Sequence, residues 1–293
     1  MNHTTKKRIF GIILILLVLW AFNNILLKFS DSSVTTTQDK IVLPTLRAEI
    51  VKYHTESITR RGDARLWMIR LEQPVDLIPY HFQQQNLKTP QTIGVWQEHL
   101  NAPLVINAGL YDETHKHLGL LKGQGVWISK QHKSQWYGLL VSGPLEHGPW
   151  ARIVDLEKTD IKIIESYQNA VQSMMLFDEN KPLRVRDTDI AASRMVLAQD
   201  KQNRILVLIH EGAVTLADLA RYLQASDLNL LNAMNLDGGV EAQMALKTNE
   251  LQMLIYGQYG TAKNVLAKAA GKIKTPLPSV IAIWPAGRHG VIE

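Results

Sequence analysis

A succession of short apolar runs, each bounded by turn residues, constrains this chain more than any other feature. The runs fall at residues 66–71, 75–80, 104–110, 125–129, 137–142, 153–156, 161–164, 195–198, 204–210 and 280–284. Apolar stretches this short, punctuated by Gly, Pro and small polar residues, suit strands better than helices. The polar tract 199–203 between two of them reads as a hairpin turn. Helical patterns are fewer. One is at 92–100; the clearer one, at 216–223, opens on Thr215 with Asp218 three residues on, a start resembling a capping box. Leu216, Leu219, Ala220 and Leu223 give it an apolar stripe. The expected fold is therefore α+β: a single domain with a large mixed, mainly antiparallel sheet and a few helices.

The amino terminus has a different character. Lys6-Lys7-Arg8 precedes an apolar run at residues 9–27, broken only by Asn23 and Asn24. Its length is close to the roughly 20 residues that a membrane-spanning helix needs. The expected organisation is a signal anchor at 1–28, a Ser/Thr-rich linker at 29–40 and a globular domain at 41–293. With the basic end in the cytoplasm, the domain is expected to be periplasmic or extracellular; a cleaved signal peptide is the competing reading. The formal net charge is +5, but three of those charges sit in Lys6-Lys7-Arg8. The remainder is too small to suggest nucleic-acid binding. Cysteine is absent, which excludes disulfides, thiol nucleophiles and thiolate metal sites.

The stretch 230–246, LLNAMNLDGGVEAQMAL, is the richest in chemistry. Its first half alternates, with Met234 and Leu236 on one face and Asn235 and Asp237 on the other. Gly238-Gly239 breaks the strand, and residues 240–246 have the composition of a short helix. Asp237 would then end a strand beside backbone N–H groups able to favour an anion. The plainer alternative is a tight Asp-Gly-Gly turn.

Three other places carry candidates. In 104–110, Asn107 and Gly109 share the face opposite Leu104, Ile106, Ala108 and Leu110; a buried Asn needs a partner, although Asn107 could simply close a turn. Arg194 precedes a strand, either as a surface residue or as a planar fork suited to phosphate. His210 ends a strand before Glu211-Gly212, bordering a cleft or a solvated hairpin. His115 and His117 lack a third ligand at recognisable spacing, so no metal motif is read. G-x-S-x-G, P-loop and G-x-G-x-x-G patterns are absent, which counts against the corresponding hydrolase and nucleotide sites.

In this order the pieces resemble the phosphodiester glycosidase family. V-I-N-A-G-L-Y-D at 105–112 followed by G-L-L-K-G-Q-G at 119–125 is similar to its N-x-G-x-F … G-L opening. S-R-M-V-L-A at 193–198 resembles its S-R-T-A-I-G strand, G-A-V-T-L-A-D-L-A at 212–220 its G-x-T-L-x-E-L-A helix start, and N-L-D-G-G at 235–239 its most specific signature. L-P-S-V-I-A-I-W-P resembles its closing strand. One departure stands out: where the family commonly continues with a third Gly and two Ser, this chain has Val240, Glu241 and Ala242. Two hydroxyl donors are lost and a carboxylate is gained.

The resemblance implies a hydrolase that cleaves a sugar-1-phosphodiester, with a phosphodiester-linked glycan or sugar phosphate as partner and no cofactor. Asp237 would be nucleophile or stabilising anion and Glu241 a candidate acid/base. Arg194 with the Gly238-Gly239 backbone would clamp phosphate; Asn107, Gly109 and His210 would complete the substrate site. Two further readings stay open: a catalytically silent envelope module that binds anionic glycans, and a divalent-metal hydrolase using Asp237, Glu241 and His210.

Overall fold

The computed structural model describes residues 40–178, 183–260 and 274–287. The described residues belong to one compact unit. The apolar run at 9–27 lies outside them; among the described residues no helix is long and apolar enough to cross a membrane.

Two sheets make up the domain. The larger contains β1 (Lys40–Leu43), β2 (Ala48–His54), β3 (Arg65–Leu71), β6 (Leu120–Gly123), β7 (Val126–Lys130), β8 (Gly138–Pro144), β9 (Ala151–Asp155), β10 (Tyr167–Asp178), β11 (Ala191–Asp200), β12 (Ile205–Thr215) and β13 (Leu230–Gly238). Its main path is β1-β2-β3-β12-β11-β13-β10-β6-β7, with β8 joining β10 to β9. The smaller runs β15-β14-β5-β16-β4, from β4 (Val75–His81), β5 (Leu104–Asn107), β14 (Gln243–Lys247), β15 (Gln252–Tyr256) and β16 (Ser279–Pro285). Every strand pairing among the described residues is antiparallel.

Side-chain alternation sorts the core into layers. Met195, Leu197, Val207, Ile209, Met234 and Leu236 of the larger sheet pack against Leu104, Ile106, Met244, Leu246, Ile281 and Ile283 of the smaller. Their neighbours Val196, Ala198, Leu206 and Leu208 face the other way, under α2 (Leu216–Ala225) through Leu219, Ala220 and Leu223. On the far side Val105, Val280 and Ala282 meet Ile93 and Trp96 of α1 (Ile93–Leu100). The order of layers is helix, sheet, sheet, helix. Strands buried on both faces read as continuous apolar runs rather than as alternating ones. The Thr215 hydroxyl accepts from Asp218 N at 3.0 Å, as a capping start requires.

Several expectations are corrected. There are two sheets where one was expected. Residues 240–246 are not a helix: a single 3₁₀ turn, Gly239–Glu241, leads directly into β14. There Met244 and Leu246 enter the central core while Ala245 faces α1, a period of two that overrides helical propensity. The run 161–164 is a 3₁₀ helix, Ile161–Ser166, opened by the Asp160 side chain accepting from Lys162 N at 2.9 Å. The strand read at 104–110 stops at Asn107, and Gly109 turns away with φ +131°.

The longest strand, β10, is absent from the sequence reading because Asn169, Gln172 and Ser173 interrupt its apolar pattern. All three are buried and hydrogen-bonded. Gln172 alone serves four backbone groups: its Nε2 donates to Lys133 O and Trp136 O, both at 2.8 Å, and its Oε1 accepts from Leu120 N at 3.2 Å and Lys133 N at 3.1 Å. A buried backbone group left unpaired costs about 1–3 kcal/mol. Gln172→Met, which keeps the volume, is therefore expected to lose at least about 3 kcal/mol of stability. A shift in the midpoint of chemical denaturation at unchanged slope is the measurement.

Candidate active site

The Asp-Gly-Gly turn is where the chain leaves the larger sheet for the smaller. Because Met234 and Leu236 are committed to the core between the sheets, Asp237 at the end of β13 is directed away from it. The next residue must be glycine for a steric reason. A Cβ at Gly238 would stand 2.8 Å from Arg194 Nη1 and 2.9 Å from Ser193 O. Gly239 follows with φ +75°, a conformation that side chains disfavour.

Arg194 lies between β13 and β12, its Cα partnered by Gly238 on one side and His210 on the other. It is only 7% exposed. Its Nε donates to Val214 O at 3.2 Å and its Nη2 to Ile190 O at 2.9 Å. Burial lowers the guanidinium pKa to about 10 against the opposing pull of the Asp237 charge, so Arg194 is a cation at neutral pH. Two of its three nitrogens are held by carbonyls and the third is pressed against Gly238. It is a fixed positive charge behind the turn.

Asp237 is half-buried, and its Oδ1 accepts from Gly238 N at 2.7 Å. Its pKa is pushed up to about 7, first by burial and then by the charge of Glu241, while the Gly238 N–H and Arg194 pull it back. Glu241 sits in the 3₁₀ turn, with Oε2 3.2 Å from the position a Cβ would take on Gly239. The hydroxyl of Tyr111 is raised by burial, and then by Glu241 and Asp237. Tyr111, Asp237, Glu241 and Arg194 therefore share one electrostatic neighbourhood.

The remaining expected residues are placed differently. Of the phosphate clamp expected from Arg194 and the Gly238-Gly239 backbone, Gly238 N–H is taken by the Asp237 carboxylate and Arg194 is buried with two nitrogens on carbonyls. His210 is fully buried. Its Nδ1 lies 2.9 Å from Gly212 O, and its Nε2 lies 2.8 and 3.1 Å from the hydroxyls of Thr55 and Thr59. With both nitrogens engaged and the ring held neutral by burial, His210 anchors the 55–59 turn behind Arg194 rather than meeting substrate. Asn107 is buried at the end of β5; its Oδ1 accepts from Gln243 N at 3.5 Å and its Nδ2 has no partner among the described residues. Gln243 Nε2 donates in turn to Val240 O at 2.9 Å, which ties Asn107 to the turn one residue removed. Gly109 packs against His117, whose Cε1 would lie 3.3 Å from a Cβ there. Among the described residues no group of three or more His, Cys, Asp or Glu could hold a metal ion.

Three contributors escaped the sequence reading. Tyr111 stands directly after the Asn-Ala-Gly-Leu strand end, at the family's aromatic position, and that was its available signal. Gln243 looks like an ordinary polar residue of the short helix read at 240–246. Ser193 is a latch: its Oγ donates to Glu211 O at 2.7 Å and accepts from Gln258 N and Tyr259 N at 3.1 and 3.3 Å. Together with Gly257 N donating to Ala242 O at 2.7 Å, it holds residues 257–260 against the Gly239 turn.

The chain belongs to the phosphodiester glycosidase family. That family's sequence profile matches residues 101–284, more than half of the chain. The fold is similar to the catalytic domain of zebrafish N-acetylglucosamine-1-phosphodiester alpha-N-acetylglucosaminidase, auto-inhibited by its pro-peptide, at 16% identity and a TM-score of 0.59 over 85% of this chain and 89% of that one. A hypothetical protein from Synechocystis is similar at 13% identity and a TM-score of 0.55, over 80% of this chain and 62% of that one. No curated protein sequence matches the chain.

A native carboxyl pKa of about 7 against about 3.9 in an unfolded chain means that the folded state holds the proton more tightly. This contribution to stability is complete below about pH 4 and is lost as pH rises through about 7. The melting temperature of the native protein is expected to fall across that window relative to Asp237→Asn, which has no such group to titrate. Parallel melting curves from pH 4 to 8 give the comparison, and curves that stay parallel would remove Asp237 as a buried titrating acid.

Proposed function

We propose that the protein is a hydrolase that breaks the glycosidic C–O bond of a sugar-1-phosphodiester in cell-envelope or extracellular glycans. The observation that supports this most directly is Asp237: a half-buried carboxylate poised near pH 7, with Glu241 beside it and a fixed Arg194 behind it. In a sugar-1-phosphodiester the leaving group is a phosphate ester of low basicity, so it departs with little need of a proton. The main task left to the protein is to stabilise positive charge on the sugar ring. Ionised Asp237 does this as nucleophile or as stabilising anion. Arg194 favours the ionised form without approaching the sugar. Glu241 would serve as acid/base and activate water, and Tyr111 adds a hydroxyl to the same electrostatic neighbourhood. The unpartnered Asn107 Nδ2 is a donor for a sugar hydroxyl.

Asp237→Asn keeps size and shape but removes one negative charge. Losing about 3 kcal/mol of transition-state stabilisation lowers the rate roughly a hundredfold, and at least that loss is expected. Glu241→Gln, at the position where the family commonly has serine, is expected to cost less. Turnover should rise with pH along a limb centred near 7, since Asp237 works ionised. Sugar release from a panel of sugar-1-phosphodiesters reads all three. A limb that falls through pH 7 would instead make Asp237 the general acid. Binding of the same compounds with no turnover would favour the silent glycan-binding module.

We also propose that residues 9–27 anchor the chain and that the domain works outside the cytoplasm. The support is the Lys6-Lys7-Arg8 cluster before an apolar run of membrane-spanning length. An alkaline phosphatase fusion after Gln38 is expected to be active in bacterial cells. An inactive fusion would reverse the topology.

A further inference from the structure

The loop that follows β5 borders a second concavity, next to the carboxylate site and separate from it. A cleft of about 470 Å³ is lined by His81, Thr114, His115, Lys116, His117 and Lys130 among others, and no Asp or Glu lines it. Lys116 and Lys130 are exposed at its rim, whereas His117 is only 2% exposed. Both His117 ring nitrogens are buried and without a hydrogen-bond partner among the described residues. Such groups are costly to bury, and a ligand or a water is their usual complement.

The loop is held in one shape. Asp112 Oδ1 accepts from Thr114 N, Thr114 Oγ1 and Lys116 N at 2.8, 2.7 and 3.1 Å. His81 Nε2 lies 3.1 Å from His115 O, and its Nδ1 accepts from Gln83 N at 3.3 Å. His81 is thus a strut, and His117 is the imidazole with unused nitrogens. Tyr111 and His117 are antiparallel bridge partners across the loop, and such partners have Cα atoms about 5 Å apart. The cleft therefore begins one strand pairing away from the residue that feels both Asp237 and Glu241.

We propose that this cleft binds the anionic, leaving half of the substrate, with Lys116 and Lys130 attracting the charge and His117 hydrogen-bonding it. This rests on the hydrolase reading for the word substrate, but the cleft's affinity for anions does not. It also bears on the site itself: Arg194 is buried and Gly238 N–H is taken by Asp237, whereas Lys116 and Lys130 are exposed on the side of the β5 loop. Phosphate and carboxylate share the required chemistry, and the test separates them.

Inorganic phosphate and glucuronate are titrated separately into the purified full-length chain by calorimetry, with the His117 ring nitrogens followed by NMR. Binding of at least one anion is expected, with movement of the His117 resonances. The tighter of the two identifies the group for which the cleft is built. Lys116→Ala/Lys130→Ala, at exposed positions that leave the fold intact, is expected to weaken binding at least tenfold. Asp237→Asn is expected to retain it. In turnover, the lysine double variant should show its loss mainly in KM. Absence of binding, binding indifferent to the two lysines, binding lost in Asp237→Asn, or unmoved His117 resonances would each overturn the cleft assignment. None of these results bears on sugar release, so failure of the cleft and failure of the hydrolase reading are distinguishable.

Discussion

Everything at the active end depends on a guanidinium packed against a backbone that has no side chain. Arg194 can lie alongside Gly238 because no Cβ intervenes, and its carbonyl bonds to Val214 and Ile190 hold it there. Once that charge is in place, a carboxylate at residue 237 can be drawn out of water and still ionise within the physiological range. Burial and Glu241 raise its pKa; Arg194 and the Gly238 N–H limit the rise. The Gly238 N–H and then Arg194 offset part of what burial and Glu241 add, so the position of the Asp237 pKa reflects all four together.

The architecture was largely legible because a strand buried on both faces has to be apolar throughout. Residues 195–198, 204–210 and 280–284 stand at the middle of the two sheets, and their hydrophobicity alone marks them. What was not legible follows from the same physics. β10 buries Gln172 and Ser173, whose polarity is satisfied by backbone groups far along the chain, and no local pattern announces such partners. Residues 240–246 looked helical because Glu, Ala, Gln, Met and Leu are strong helix formers and Val240 is the one β-branched residue among them. Both faces of β14 are covered, so Ala245 and Met244 are equally apolar and the period of two is hidden. The division into two sheets is likewise a matter of long-range pairing, which spacing along the chain does not encode.

At the candidate site, Asp237 was legible from Gly-Gly after a polar strand end, and Arg194 from its place before the apolar run 195–198, although β11 already includes it. Their roles relative to each other were not. Arginine before a strand looks the same whether it reaches outward for phosphate or inward for support; burial and the two carbonyl bonds decide for support. His210 was chosen for its position at a strand end, yet what determines its behaviour is the pair of hydroxyls from Thr55 and Thr59, about 150 residues earlier in the chain. Tyr111 feels both carboxylates from the loop that leaves β5, where Gly109 turns with φ +131°.

The order of strands in the smaller sheet has a consequence for how the protein comes into being. β16, near the carboxyl end, is inserted between β4 and β5, so β4 has no strand partner until the last part of the chain arrives. During synthesis the layer that completes the sandwich therefore stays open, and its apolar faces remain without their final cover. Pairings that span so much sequence form slowly, because the intervening chain must be ordered before the contacts reward it. Until β16 has entered its slot the apolar face of β4 stays uncovered, which makes protection by holding chaperones valuable.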